Sequence, residues 1–154
     1  MRERLFRPPI TLVIVLSAHN LIAQQKPNLS GKWTSLEARG QTLTISQDAT
    51  SVTITKTDLR LEHAFVYRLD GSESHNQTLS LSGETWTYVS HANWITNALV
   101  VNHSTTRAST GRPWDWMEIY FLESGTGNLK VTTLDAILNP GPFMGLRTVT
   151  YTKN

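Results

Sequence analysis

From Gln41 to the last residue, apolar positions recur with period two in short runs separated by turn residues. This is the pattern of strands that bury one face and solvate the other. Leu43 and Ile45 alternate with Thr42, Thr44 and Ser46; past Asp48-Ala-Thr50, Val52 and Ile54 alternate with Ser51, Thr53 and Thr55. Phe65, Tyr67 and Leu69 alternate with Val66 and Arg68 up to Asp70-Gly71, and Leu79 and Leu81 lead to a turn at Gly83. Trp86 and Tyr88 follow, then Leu99 and Val101 after a turn over Asn93–Asn97, Leu129 and Val131 after Gly125-Thr-Gly127, and Val149 and Tyr151 at the end. With Gly31–Ala38 and Trp114–Leu122 added, the chain holds about eight to ten short strands on brief connections, and no segment carries a sustained helical stripe. The predicted fold is all-β, a single antiparallel up-and-down barrel. Closure removes the strand edges that an open Thr-rich sheet would present for aggregation.

Residues 1–23 break this pattern. Met1–Arg7 is basic, Ile10–Ala18 is a short apolar run, and Leu21-Ile-Ala23 offers a cleavage site before Gln24. Those are the three parts of a secretory leader, so the protein is expected to be exported, periplasmic or extracellular, with residues 24–154 as one β-barrel domain. The apolar run is about half the ~18 residues needed to cross a bilayer. A membrane barrel requires apolar strands of about nine to eleven residues between aromatic girdles. The strands here are shorter and their second face is Ser, Thr and Lys, so the domain is not expected to be embedded in a membrane.

The leader also distorts the charge. The whole chain has 14 Lys and Arg against 12 Asp and Glu, but beyond residue 23 there are 11 of each. Lys32, Lys56, Arg68, Lys130 and Arg147 are spread one per segment, without the basic face that binding to nucleic acid demands. Absence of cysteine rules out disulfides, thiol chemistry, Cys-bound metal and a lipidated cysteine anchor.

Two end segments carry a resemblance. Asn28-Leu-Ser-Gly31-Lys-Trp33 resembles the Gly-x-Trp opening of lipocalins and their calycin relatives, and Arg147-Thr-Val-Thr-Tyr151-Thr-Lys153 resembles the final strand of fatty-acid-binding proteins. The chain is also similar to exported bacterial proteins with a Tyr67-Arg-Leu-Asp-Gly71-Ser-Glu-Ser74 segment. The resemblance implies a lipocalin-like barrel with Trp33 packed across one end beneath Arg147. Avidins open with a similar Gly-Lys-Trp-Thr, but Ser35 stands where their biotin site has Asn.

A small barrel is either filled by its side chains or holds one small ligand. The leading expectation is a non-enzymatic binder of a small lipophilic or aromatic molecule, with Trp33, Phe65, Tyr67, Trp86 and Tyr88 lining the cavity. The alternative uses Pro113–Leu122, apolar on both faces: Trp114, Trp116, Glu118, Tyr120 and Leu122 share one, Asp115, Met117, Ile119 and Phe121 the other. With Trp114, Trp116 and Tyr120 outside, a filled barrel becomes an interaction or inhibitor module, or a homodimer. Asp115 and Glu118 fall on opposite faces and cannot act as a close acid–base pair. There is no Gly-x-Ser-x-Gly, phosphate loop or His-Glu-x-x-His, and no catalytic residue, cofactor or metal is assigned. His63, His75, His91 and His103 are distant in sequence, and only neighbouring strands can bring them to one ion. The polar, doubly basic Ser104–Arg112 loop is a contact for an anion or a solvated connection.

Overall fold

Ten strands form where the period-two runs lie: β1 (Gly31–Ser35), β2 (Thr42–Gln47), β3 (Ser51–Thr57), β4 (Glu62–Arg68), β5 (Glu73–Leu79), β6 (Thr85–Ile95), β7 (Ala98–Thr106), β8 (Pro113–Leu122), β9 (Leu129–Ala136) and β10 (Leu146–Lys153). The computed structural model describes residues 26–58, 61–79, 83, 85–106, 113–136 and 145–154. The leader over residues 1–23, Leu81 and the Arg107–Arg112 part of the basic loop lie outside the described residues.

All strands belong to one antiparallel sheet in the order β4-β3-β2-β1-β10-β9-β8-β7-β6-β5, an up-and-down meander whose first and last strands pair. It curls into a nearly closed barrel. Where β4 and β5 meet, side chains bridge the seam: the Asn76 carboxamide accepts the Val66 N–H at 2.8 Å and donates to the Val66 carbonyl at 3.0 Å. The Ser74 hydroxyl accepts the Arg68 N–H at 2.8 Å. This explains why β5 differs from its expected position at Leu79 and Leu81. Its seam-facing residues are hydrogen-bonding Ser74 and Asn76, so it has no apolar alternation to read.

Polar turns set the register. Asp48 accepts the Thr50 and Ser51 N–H groups, both at 2.7 Å, and these bonds hold its carboxyl down at about 2. The expected Asn93–Asn97 turn is shorter than the sequence suggests. β6 runs through Ile95, leaving only Thr96 and Asn97 at the bend, with Thr96 at φ 53°. Trp94 consequently lies within a strand and packs on the core.

One end of the barrel is shut. Leu29 and Trp33 are fully buried there; the Trp33 indole donates to the Leu29 carbonyl at 2.9 Å, and Leu29 N–H donates to Gln47 Oε1 at 3.1 Å. The cation over the Trp33 ring is Lys153, its register partner, at 5.3 Å from the centroid. That corrects the contact implied by the resemblance. Arg147 is six residues away at the opposite end of β10, about 20 Å along an extended strand.

Candidate functional site

Three inward positions break otherwise apolar faces: Lys56 follows Val52 and Ile54 on β3, His103 follows Leu99 and Val101 on β7, and Glu118 lies between Trp116 and Tyr120 on β8. They meet inside the barrel. The Lys56 ammonium donates to Glu118 Oε1, the Tyr120 hydroxyl donates to Oε2 at 2.6 Å, and His103 Nε2 stands 3.3 Å from the same oxygen. Ser90 Oγ is 3.1 Å from His103 Nδ1. β3 and β8 are five places apart in a ring of ten, so Lys56–Glu118 is a strut between opposite walls.

Burial works against charge on Glu118, but Lys56 and the imidazole overcome it, so its carboxyl is held far below the usual range. Burial is also the main influence on His103; it outweighs the adjacent carboxylate and keeps the ring neutral below its ordinary value. With the proton on Nε2, that nitrogen faces Glu118 without closing a hydrogen bond to it, and Nδ1 is left to accept the Ser90 hydroxyl. Ser90 has no exposed surface. The Ser90–His103–Glu118 line is therefore buried, with its imidazole reversed relative to a nucleophilic triad, in which Nε2 faces the serine.

The strut divides the interior. On the β4–β8 side, aromatic rings fill the space: His103 stacks on Trp116 at 4.4 Å and 6°, Tyr88 meets Trp116 edge-on at 5.6 Å, and Phe65 meets Tyr88 at 5.5 Å. Trp114 lies 5.8 Å from Trp116 and 6.3 Å from Trp86, carrying the cluster to the rim, where Trp114 is 42% exposed. On the other side lies a cavity of about 220 Å3, walled by Leu43, Val131, Val149, Tyr120 and Tyr151 and rimmed by Gln41, His63, Thr133 and Arg147.

This arrangement distributes the two expected residue sets differently. Trp33 closes the far end, and Phe65, Tyr67, Trp86 and Tyr88 belong to the aromatic half; none of the five is a wall of the cavity. The expected outer strip is divided: Tyr120 is fully buried and Trp116 stacks on His103 inside, while Trp114 is exposed at the rim. The reason lies in Glu118, which shares their face and finds its cationic partner only inside. Arg147 sits exposed at the cavity mouth, and among the described residues no carboxylate pairs with it. The Tyr151 hydroxyl, donating weakly to Gln41 Oε1 at 3.4 Å, is pushed up to about 12, mainly by burial.

The Tyr67 hydroxyl is buried without a hydrogen-bond partner among the described residues, and burial raises it well above its usual range. Tyr67→Phe is therefore expected to stabilise the protein by about 1 kcal/mol, since desolvation of an unpaired hydroxyl costs roughly 1–3 kcal/mol. Urea unfolding at neutral pH checks this, and a loss of stability would reveal an ordered water on that oxygen.

Among the described residues no helix is long and apolar enough to cross a membrane, and no three metal-type donor groups converge on one point. No protein-family model matches the chain, and no curated protein matches it either.

Proposed function

We propose that the protein is a non-enzymatic binder of a small lipophilic or aromatic acid, held in the open half of the barrel with its carboxylate at the mouth. The single observation that carries this reading is a cavity whose walls are largely apolar and whose rim holds Arg147, a guanidinium with no carboxylate partner among the described residues. Lys56 and Glu118 neutralise each other, and Asp58 accepts the Leu61 N–H within the β3–β4 connection at 3.0 Å. Among the described residues of the cavity, Arg147 is the cation without a carboxylate partner, and its planar fork matches the carboxylate of an incoming acid. Gln41, His63 and Thr133 offer further hydrogen bonds at the same level.

The volume sets the size of the ligand. A space of about 220 Å3 holds roughly seven waters at ~30 Å3 each, below the usual range for drug-sized ligands. A compact aromatic or medium-chain acid suits it better than a long lipid. The leader-like residues 1–23 favour a site of action outside the cytoplasm. A non-enzymatic role is supported by the burial of Ser90 and His103, which leaves their polar atoms no space for a substrate.

The test is calorimetric titration of benzoate, indole-3-acetate and octanoate, with native mass spectrometry of protein purified from its host to find a retained molecule. Arg147→Gln is expected to weaken the best of these acids by about 10- to 100-fold, the equivalent of a charge-assisted pair of roughly 1.5–3 kcal/mol. The corresponding alcohols or amides should bind both forms alike. Equal binding of an acid and its amide by the natural protein would overturn the carboxylate reading.

A further inference from the structure

The outside of the barrel carries donor chemistry that the cavity does not use. Glu73 and His75 lie two apart on β5 and project from the same outer face. His91, on β6, is the register partner of Glu73. One carboxylate is thereby placed between two imidazoles: His75 Nε2 lies 3.4 Å from Glu73 Oε2, and His91 Nε2 lies 3.9 Å from Glu73 Oε1.

The other nitrogen of His91 gives a second, independent observation. Nδ1 is 3.0 Å from the Gly71 carbonyl oxygen, so it donates there and leaves the Nε2 lone pair directed at Glu73. A backbone carbonyl on the far nitrogen is the outer-shell partner that fixes the tautomer and orientation of metal-ligating histidines. That carbonyl is itself held in place. Gly71 has φ 80°, and a Cβ there would stand 2.7 Å from Asn93 Oδ1, so no other residue fits the turn without strain.

We propose that Glu73, His75 and His91 form a binding site for a divalent transition-metal ion, with Zn2+ the best match to two imidazoles and a carboxylate. Donors around a tetrahedral zinc, at about 2.0–2.1 Å from the metal, are separated by about 3.3 Å. His75 Nε2 already has that spacing from Glu73 Oε2, whereas His91 Nε2 lies 3.9 Å from the other oxygen, Oε1, so the carboxylate must turn for both imidazoles to reach one ion. As they stand, the three do not converge on one point. His75 and Glu73 are 63% and 57% exposed and rotate into place without disturbing the core, while His91 is anchored through Gly71. Glu73 and His91 also line an outer groove of about 630 Å3 with Asn102 and Asp115, which leaves the fourth coordination position facing open space for water or a ligand atom. Sites with such an open position are the ones that bind or activate a further molecule.

Calorimetric titration of Zn2+ into tag-free protein tests the assignment, with far-UV circular dichroism to confirm that each variant keeps its fold. The expected result is one equivalent of zinc bound. His75→Ala and His91→Ala should each weaken it by at least the roughly 10–100-fold that loss of an outer-shell partner alone costs. Glu73→Gln should weaken it too, whereas Glu123→Gln, in the turn after β8, should leave it unchanged. Two results overturn the proposal: no uptake of zinc by the natural protein, or undiminished binding by the folded His75→Ala/His91→Ala variant.

Discussion

Lys56→Met should destabilise the barrel by about 3 kcal/mol at neutral pH, because it leaves the Glu118 carboxylate buried without its cation. Little else in that space can compensate. The Tyr120 hydroxyl supplies a hydrogen bond but no charge, and the neutral His103 ring only stands beside the carboxylate. Adding Glu118→Gln to make the double variant should restore most of the loss, since an amide still accepts from Tyr120 and carries no unpaired charge. The deficit of the single variant should also shrink in acid, as protonation of Glu118 removes the uncompensated ion.

The natural protein should behave in the opposite way. Its Glu118 carboxyl is held below the ordinary 4.5, so on acidification the unfolded chain takes up that proton first. The contribution is complete above about pH 4.5 and is lost as the pH falls through the folded value. His103, held below its ordinary 6.5, acts with the same sign: the unfolded chain binds its proton first, so stability declines as the pH drops beneath 6.5. Urea unfolding of the three proteins at pH 7, pH 5 and pH 3 checks both statements. A Lys56→Met cost below about 1 kcal/mol, as exposed pairs show, together with no recovery in the double variant, would mean that the pair is solvated and the strut unimportant.

The barrel was legible because its register follows from apolar alternation on nearly every strand, as at Leu43/Ile45 and Val52/Ile54. β5 was the exception, because Ser74 and Asn76 spend their inward positions on the seam and leave no apolar signal. The site was harder to see, although a trace of it is present. Lys56, His103 and Glu118 each occupy the next inward position after apolar residues, and burial of one alone would be prohibitive. Three complementary groups at inward positions require one another. Which strands face across the barrel follows only from closure, and β3 opposite β8 is a property of the ring rather than of either strand. The same gap misdirected the reading of Pro113–Leu122, whose two faces are similarly apolar. Only the partner awaiting Glu118 decides between them.

That decision makes Trp116→Ala the sharpest test of how the barrel is filled. With Trp116 stacked on His103 and edge-on to Tyr88, its removal opens a cavity in the aromatic half and should cost about 3 kcal/mol, the lower end of the range for Trp→Ala in a core. Trp116→Phe should keep much of that stability, because a smaller ring still covers the imidazole. A local readout separates this from a general loss of packing. Without the indole, His103 is less desolvated, and desolvation is the main cause of its lowered value, so its titration by NMR should move back toward 6.5. If Trp116 instead belonged to an outward strip that binds a partner or a second copy, the variant would unfold at the natural urea concentration, His103 would titrate unchanged, and only self-association or capture would be lost. Stability and the His103 titration together therefore distinguish a ring that supports the buried network from one that serves a surface.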